Sequence, residues 1–198
     1  MIGTIIGFFS GFLTALFAEP LRQWLFRPIL SLEFKNTSHF VTETWKRSDS
    51  TRHAARYARI KVTNTRRSLA RSCRAYLVNI ERIGPSGGWE STDYCESMQL
   101  AWSARGGDAY IALDLPKDVP HFVDVLSTCE GSKSFNLELQ LKLFRHEALL
   151  GSAGTYRFTI VVSGDGVRPE WIWLSFNWSG DWDGFKLTVA SPGDLSSR

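Results

Sequence analysis

No lysine or arginine occurs before Arg22, and no charge of either sign occurs from Ile2 to Ala18. Acidic residues are absent from Ser50 to Ile80. Cysteine is scarce: Cys73, Cys95 and Cys129 make an odd number with no Cys-x-x-Cys spacing. That count argues against a disulfide framework and fits reduced thiols in a cytosolic domain. The histidines His39, His53, His121 and His146 are scattered, with no His-x-x-x-His. A zinc site therefore lacks its ligand spacing, and no metal is expected. No P-loop and no Gly-x-Gly-x-x-Gly occurs, so the nucleotide-binding loops that cradle phosphate are missing. "GPSGG" (84–88) reads as a turn. No catalytic residue and no cofactor is expected, and the chain does not read as an enzyme.

The uncharged stretch Ile2–Ala18 is long enough, at the short end, to span a bilayer as a helix. Leu21, Trp24, Leu25 and Phe26 extend it, with Arg22 and Arg27 reaching to headgroups and Trp24 at the interface. Pro20 breaks or kinks it. Two other readings compete. A cleaved signal wants a basic start and small residues at −3 and −1; here the start is not basic, and a cut after Ala18 leaves Leu16 at −3. A buried helix of a soluble domain is the third. Positive charge follows the span and never precedes it, which places the N-terminus outside the inner membrane and the rest in the cytoplasm.

Small residues recur every fourth position at Gly3, Gly7, Gly11 and Ala15. At about 100° per residue they share one arc with Ser10, Thr14, Thr4 and Ala18, while the Phe, Ile and Leu side chains fill the rest. Helices in lipid associate through close backbone approach and hydroxyl hydrogen bonds, and a small face permits both. The helix is therefore expected to pack against its own copy. A monomeric anchor with a glycine-rich face is the plainer reading.

After Pro28 the pattern switches to period 2. Strands are predicted at 29–34, 57–64, 73–83, 110–115, 121–126, 135–144, 155–164, 171–178 and 184–190, with Gly, Pro, Asn and Asp between them. Aromatic content of 13% suits a sandwich or barrel core. The expected organisation is a helix and juxtamembrane segment (1–27), an antiparallel β-sandwich of about nine strands (28–190) and a flexible tail (191–198). "DWDG" (181–184) reads as a hairpin turn with Trp182 packing inward, the alternative being a carboxylate cation site.

Charge is uneven along the chain. Residues 1–83 hold fourteen Lys and Arg against five acids, and residues 84–198 hold nine against fifteen. Arg59, Lys61, Arg66, Arg67, Arg71 and Arg74 are expected to form one cationic surface. Three uses compete for it: anionic lipid, a phosphate-bearing ligand or nucleic acid, and pairing with the acidic second half within or between subunits.

"GTYRFTIVVSGDG" resembles the late strand of immunoglobulin-like sandwiches. The order of an apolar helix, "AEPLR", "RP" and "RIKVTNT" resembles uncharacterised bacterial proteins with one N-terminal span and a cytosolic β-domain. The layout is similar to small membrane effectors of bacterial antiviral systems. That likeness implies an effector whose β-domain senses a signal or ligand and whose helix oligomerises to perturb the membrane, in antiviral defence. The alternative is a membrane-anchored adaptor that recruits a cytosolic partner protein.

Overall fold

The computed structural model describes residues 26–48, 51–94, 96–141 and 151–190. Gly3, Gly7, Ser10, Gly11, Thr14 and Ala15 lie outside the described residues, as does the tail 191–198. Among the described residues no helix is long and apolar enough to cross a membrane.

The described chain is mainly β, with two antiparallel sheets and the core between them. In chain order the strands are β1 (Leu30–Glu33), β2 (Val41–Ser48), β3 (Thr51–Asn64), β4 (Ala70–Ile83), β5 (Trp89–Ser91), β6 (Met98–Gln99) and β7 (Ala101–Trp102). They continue as β8 (Leu113–Leu115), β9 (His121–Cys129), β10 (Asn136–Leu137), β11 (Gly154–Asp165), β12 (Glu170–Trp178) and β13 (Lys186–Val189). The first sheet is built on β3. Its one edge carries β1 and β2 in succession and its other edge carries β9, which in turn pairs with β7 and β10. The second sheet runs β13-β12-β11-β4, with β5, β6 and β8 also on β4.

Alternation explains the layering. On β12, Ile172, Leu174, Phe176 and Trp178 are buried, while Trp171 and Asn177, on the alternate positions, are exposed. On β11, Tyr156, Phe158, Ile160 and Val162 point the same way. From the other sheet Ala58, Ile60, Val62, Val123 and Val125 meet them. Phe135, in the connection after β9, sits at the centre of an aromatic cluster. Its ring centroid lies 4.9 Å from Phe176, 5.4 Å from Tyr156, 5.8 Å from Trp178 and 6.3 Å from Phe158. Gly164 is a close approach: a Cβ there would lie 2.5 Å from the Arg71 carbonyl and 2.8 Å from Cys73 Sγ.

Each of the nine predicted strands is present at least in part. Four more exist. The long one, β2, is a polar edge strand whose Glu43 and Trp45 face solvent, so it shows no apolar alternation. The stretch 135–144 departs most from expectation. Residues 142–144 lie outside the described residues, and within 135–141 only Asn136–Leu137 is a strand, with a bridge from Leu139 to Leu100 and Leu141 66% exposed. The core needs Leu137 and Leu139, and nothing covers Leu141 among the described residues. Cys73 and Cys129 are free thiols, and burial pushes the Cys73 thiol up to about 11.

Candidate functional site: a charged groove and a basic pole

A bulge in β9 creates the first feature. Ala58 faces Leu126 and Arg59 faces Asp124, so Val125 is the extra residue. Val125 and Leu126 both enter the core. The extra residue resets the phase of the strand, so Asp124 and Ser127 both point away from the core, on either side of the bulge. They share that outer face with Tyr57 and Arg59 of β3 and with Thr42 of β2. Glu138 joins them, because its N–H donates to Val125 O at 3.0 Å and its carbonyl accepts from Ala101 N at 3.0 Å.

The chain after β7 forms the roof. Ser103 N donates to Phe122 O at 2.8 Å, and Trp102 N to Ala109 O at 2.7 Å. Between these anchors Ala104 takes φ +60° and Gly106 φ +54°. An alanine in the left-handed region is a strained choice that places Ser103 and Arg105 on the groove. Tyr110 Oη then donates to Leu139 O at 2.9 Å. An open groove of about 430 Å³ results, lined among others by Tyr57, Arg59, Arg105, Tyr110, Asp124 and Glu138.

Its electrostatics are mixed. Ser103 Oγ donates to Asp124 Oδ1, and Ser127 Oγ donates to Glu138 Oε1, each at 2.5 Å. Burial, with the Glu138 charge beside it, raises the Asp124 carboxyl above its ordinary value, although the Ser103 bond and Arg59 pull it back. Burial, then Glu138 and Asp124, push the Tyr57 phenol up to about 12. Tyr110 is raised by the same causes in the same order. Arg59 does not bridge to the carboxylates. It donates to His39 O at 2.9 Å and to Thr42 Oγ1, with its guanidinium 4.9 Å from the Phe122 ring centroid.

The Asp124 shift sets a sign. A carboxyl that holds its proton more tightly when folded adds stability as pH falls from the folded value toward the unfolded one, and loses it as pH rises. Asp124→Asn keeps an acceptor for Ser103 and removes the charge. Melting curves from pH 4 to 8 should show the variant at least as stable as the parent at pH 7, with the difference shrinking toward pH 4. A variant less stable at pH 7 would show that the ionised carboxylate is favourably held.

The second feature is the end of the sandwich where the described chain begins. Arg27 Nε donates to Gly166 O at 2.9 Å, Ser68 Oγ donates to Phe26 O, and Thr65 N donates to Ile29 O at 2.8 Å. These bonds fix residues 26–29 against the β3–β4 and β11–β12 connections. Arg66 and Arg67 are exposed in the first of these connections, and exposed Arg71 follows at the start of β4, opposite Asp165.

The six cationic residues predicted as one surface are thus divided. Arg66, Arg67 and Arg71 gather at this pole. Arg74 lies on the outer face of the second sheet, opposite Ser163. Arg59 and Lys61 lie on the outer face of the first, Arg59 in the groove and Lys61 paired with Glu33. Among the described residues Arg66, Arg67, Arg71 and Arg74 make no ion pair, while Arg56 reaches the acidic half at Asp183 at 3.9 Å. Sequence reasoning did not pick out Asp124, Glu138, Tyr57 or Arg105. One signal was present: "VDVLS" (123–127) places Val125 and Leu126 side by side and breaks the alternation.

Two motifs resolve as turns. Gly84-Pro-Ser-Gly-Gly has the lettering of a nucleophile elbow, but it joins β4 to β5. Gly84 N donates to Gly88 O at 2.9 Å and Gly87 N to Gly84 O at 3.0 Å. An elbow needs a strand-to-helix turn, so Ser86 is a hairpin serine. "DWDG" is a short 3-10 turn (Trp182–Gly184) between β12 and β13 in which Asp181 caps Trp182 N at 2.8 Å. Trp182 does not pack inward as expected but stays half-buried outside the core, with Arg56 4.3 Å from its ring centroid. Arg56 and Lys133 approach the two carboxylates. No group of three or more His, Cys, Asp or Glu suited to a metal ion exists among the described residues.

Compared with protein families, with curated proteins and with solved structures, the chain matches none.

Proposed function

We propose that the chain is a membrane-anchored effector. Its N-terminal segment spans the inner membrane with the β-domain in the cytoplasm, and the helices associate through the Gly3, Gly7, Gly11 and Ala15 face. The groove receives a ligand, and helix rearrangement then perturbs the bilayer, as in antiviral defence. The observation that carries this reading is the attachment of Phe26 and Arg27 to the connections beside Arg66, Arg67 and Arg71. An apolar segment leaving from that pole would hold three arginines that make no ion pair among the described residues against the headgroups. Each is worth roughly 1 kcal/mol on anionic lipid.

Two measurements test it. A fragment beginning at Phe26 should sediment with phosphatidylglycerol vesicles. Arg66→Glu, Arg67→Glu and Arg71→Glu together should weaken capture about 100-fold while the melting temperature barely moves, since exposed charges contribute little to folding. Equal capture by neutral vesicles would remove the electrostatic account. The full chain reconstituted in vesicles should release an entrapped dye.

A second reading, the adaptor, draws on β2. This strand pairs only with β3 among the described residues and displays Trp45, 67% exposed, on its length. A free edge with an exposed aromatic suits addition of a partner strand. An adaptor would leave the dye inside.

A further inference from the structure

The groove combines features that select a ligand by charge. Its two carboxylates, Asp124 and Glu138, stand on the outer face of the first sheet, with Tyr57 and Tyr110 also lining the space. Among the described residues Asp124 has no ion-pair partner, and its one hydrogen bond comes from Ser103. The nearest cation in the groove, Arg59, is committed to His39 O, Thr42 Oγ1 and the Phe122 ring. A half-buried carboxylate without a counter-ion is costly, and a cation that enters relieves that cost. Tyrosine rings beside carboxylates suit an organic ammonium, whose charge is attracted by aromatic faces.

A metal ion is disfavoured, because no third ligating side chain joins the two carboxylates among the described residues. A polyamine is disfavoured by the arginines, since Arg59 and Arg105 line the same space. A plain anion is disfavoured by the carboxylates. A molecule with both signs matches the lining. Arg105 is exposed on the roof and makes no ion pair among the described residues, so its guanidinium is placed to take a carboxylate in the bidentate manner. About 430 Å³ is within the range of small-molecule sites. It exceeds what the smallest amino acid fills.

We propose that the groove binds a small zwitterion of the amino-acid class, its ammonium between Asp124 and Glu138 and its carboxylate on Arg105. This deepens the sensing half of the function proposed above and rests on it.

The test uses the full chain in detergent micelles, with the twenty L-α-amino acids and the dipeptide Ala-Ala as probes. Each is titrated at up to 10 mM by thermal shift and tryptophan fluorescence, a ceiling set by roughly millimolar affinity for ligands this small. At least one zwitterion should raise the melting temperature. Its N-acetyl and its amide forms should each bind at least tenfold more weakly. Asp124→Asn and Arg105→Ala should each weaken binding of the best probe tenfold or more, while Arg74→Ala, outside the groove, should not. Glu138→Gln serves as a second carboxylate variant if Asp124→Asn fails to give folded protein. Three results would overturn the proposal: no probe binds, the N-acetyl form binds equally well, or putrescine binds and the zwitterions do not. Dye release without ligand binding would sink the ligand class and leave the effector; binding without dye release would do the reverse.

Discussion

Phe135→Ala should lower the stability of the β-domain by about 3–5 kcal/mol, the cost of removing a fully buried aromatic from a packed interior. Phe135 touches four other rings from β11 and β12 of the second sheet, and its T-shaped contacts with them are 65–82° between planes. Neither Tyr156 nor Trp178 can swing in without breaking the alternation of β11 and β12, so the cavity would persist. For a domain of this size the midpoint of melting should fall by roughly 10 °C. Phe135→Leu keeps most of the volume and should cost about half as much. A melting curve for each variant checks both. If Phe135→Ala melts within 2–3 °C of the parent, about 1 kcal/mol for a chain of this length, the cluster rearranges to close the space and Phe135 is not the keystone of the core.

The same aromatic strands were the most legible part of the sequence. "TYRFTIVVSG" and "WIWLSFNW" alternate without interruption because one sheet face is buried and the other is not, and a one-residue slip would invert every side chain. Legibility fails where that two-sided condition fails. β2 lies at an edge and displays polar groups and Trp45, so nothing in "VTETWKRS" marks an inward face. "FNLELQLKLF" alternates well, yet among its described residues it pairs with β9 for only two, because Glu138 turns to the groove and β9 also pairs with β7. Local pattern reports what a segment can do, and neighbours decide how much of it is used.

The groove was harder to read than the fold. Its residues come from β2, β3, β9, the roof after β7 and the segment after β10, and single residues at such separations carry no spacing rule. Asp124 reads in isolation as an ordinary polar position of an alternating strand. Only the pair Val125–Leu126 hints at the bulge, and a bulge alone does not say which side chains share its face. The basic stretch shows the converse. It is conspicuous in sequence, but Arg59, Arg66 and Arg74 sit on three different parts of the surface, since β3 and β4 belong to opposite sheets. Adjacent strands in sequence crossing between layers scatter what the chain concentrates.

Glu81→Ala should cost about as much as the loss of Phe135, and for an electrostatic reason. Arg157 and Glu81 are cross-strand neighbours on β11 and β4, and Arg157 Nε donates to Glu81 Oε2 at 2.6 Å. Their side chains are only 3% and 5% exposed, and the guanidinium lies 4.4 Å from the Trp89 ring centroid. Removing the carboxylate takes the paired charge away from a desolvated guanidinium, a change that typically costs about 3–5 kcal/mol. Arg157→Ala removes the charge that the buried carboxylate faces and also loses the ring contact. Replacing both, Glu81→Leu with Arg157→Met, removes the two desolvation costs together and should restore most of the stability of either single variant, or exceed the parent. Chemical denaturation of the parent, both singles and the double variant gives the coupling energy directly. A Glu81→Ala variant that loses less than about 1 kcal/mol, the worth of an exposed pair, would mean that Arg157 finds water or another acceptor once its partner is gone. The outer face of the second sheet would then open to solvent more readily than its burial indicates.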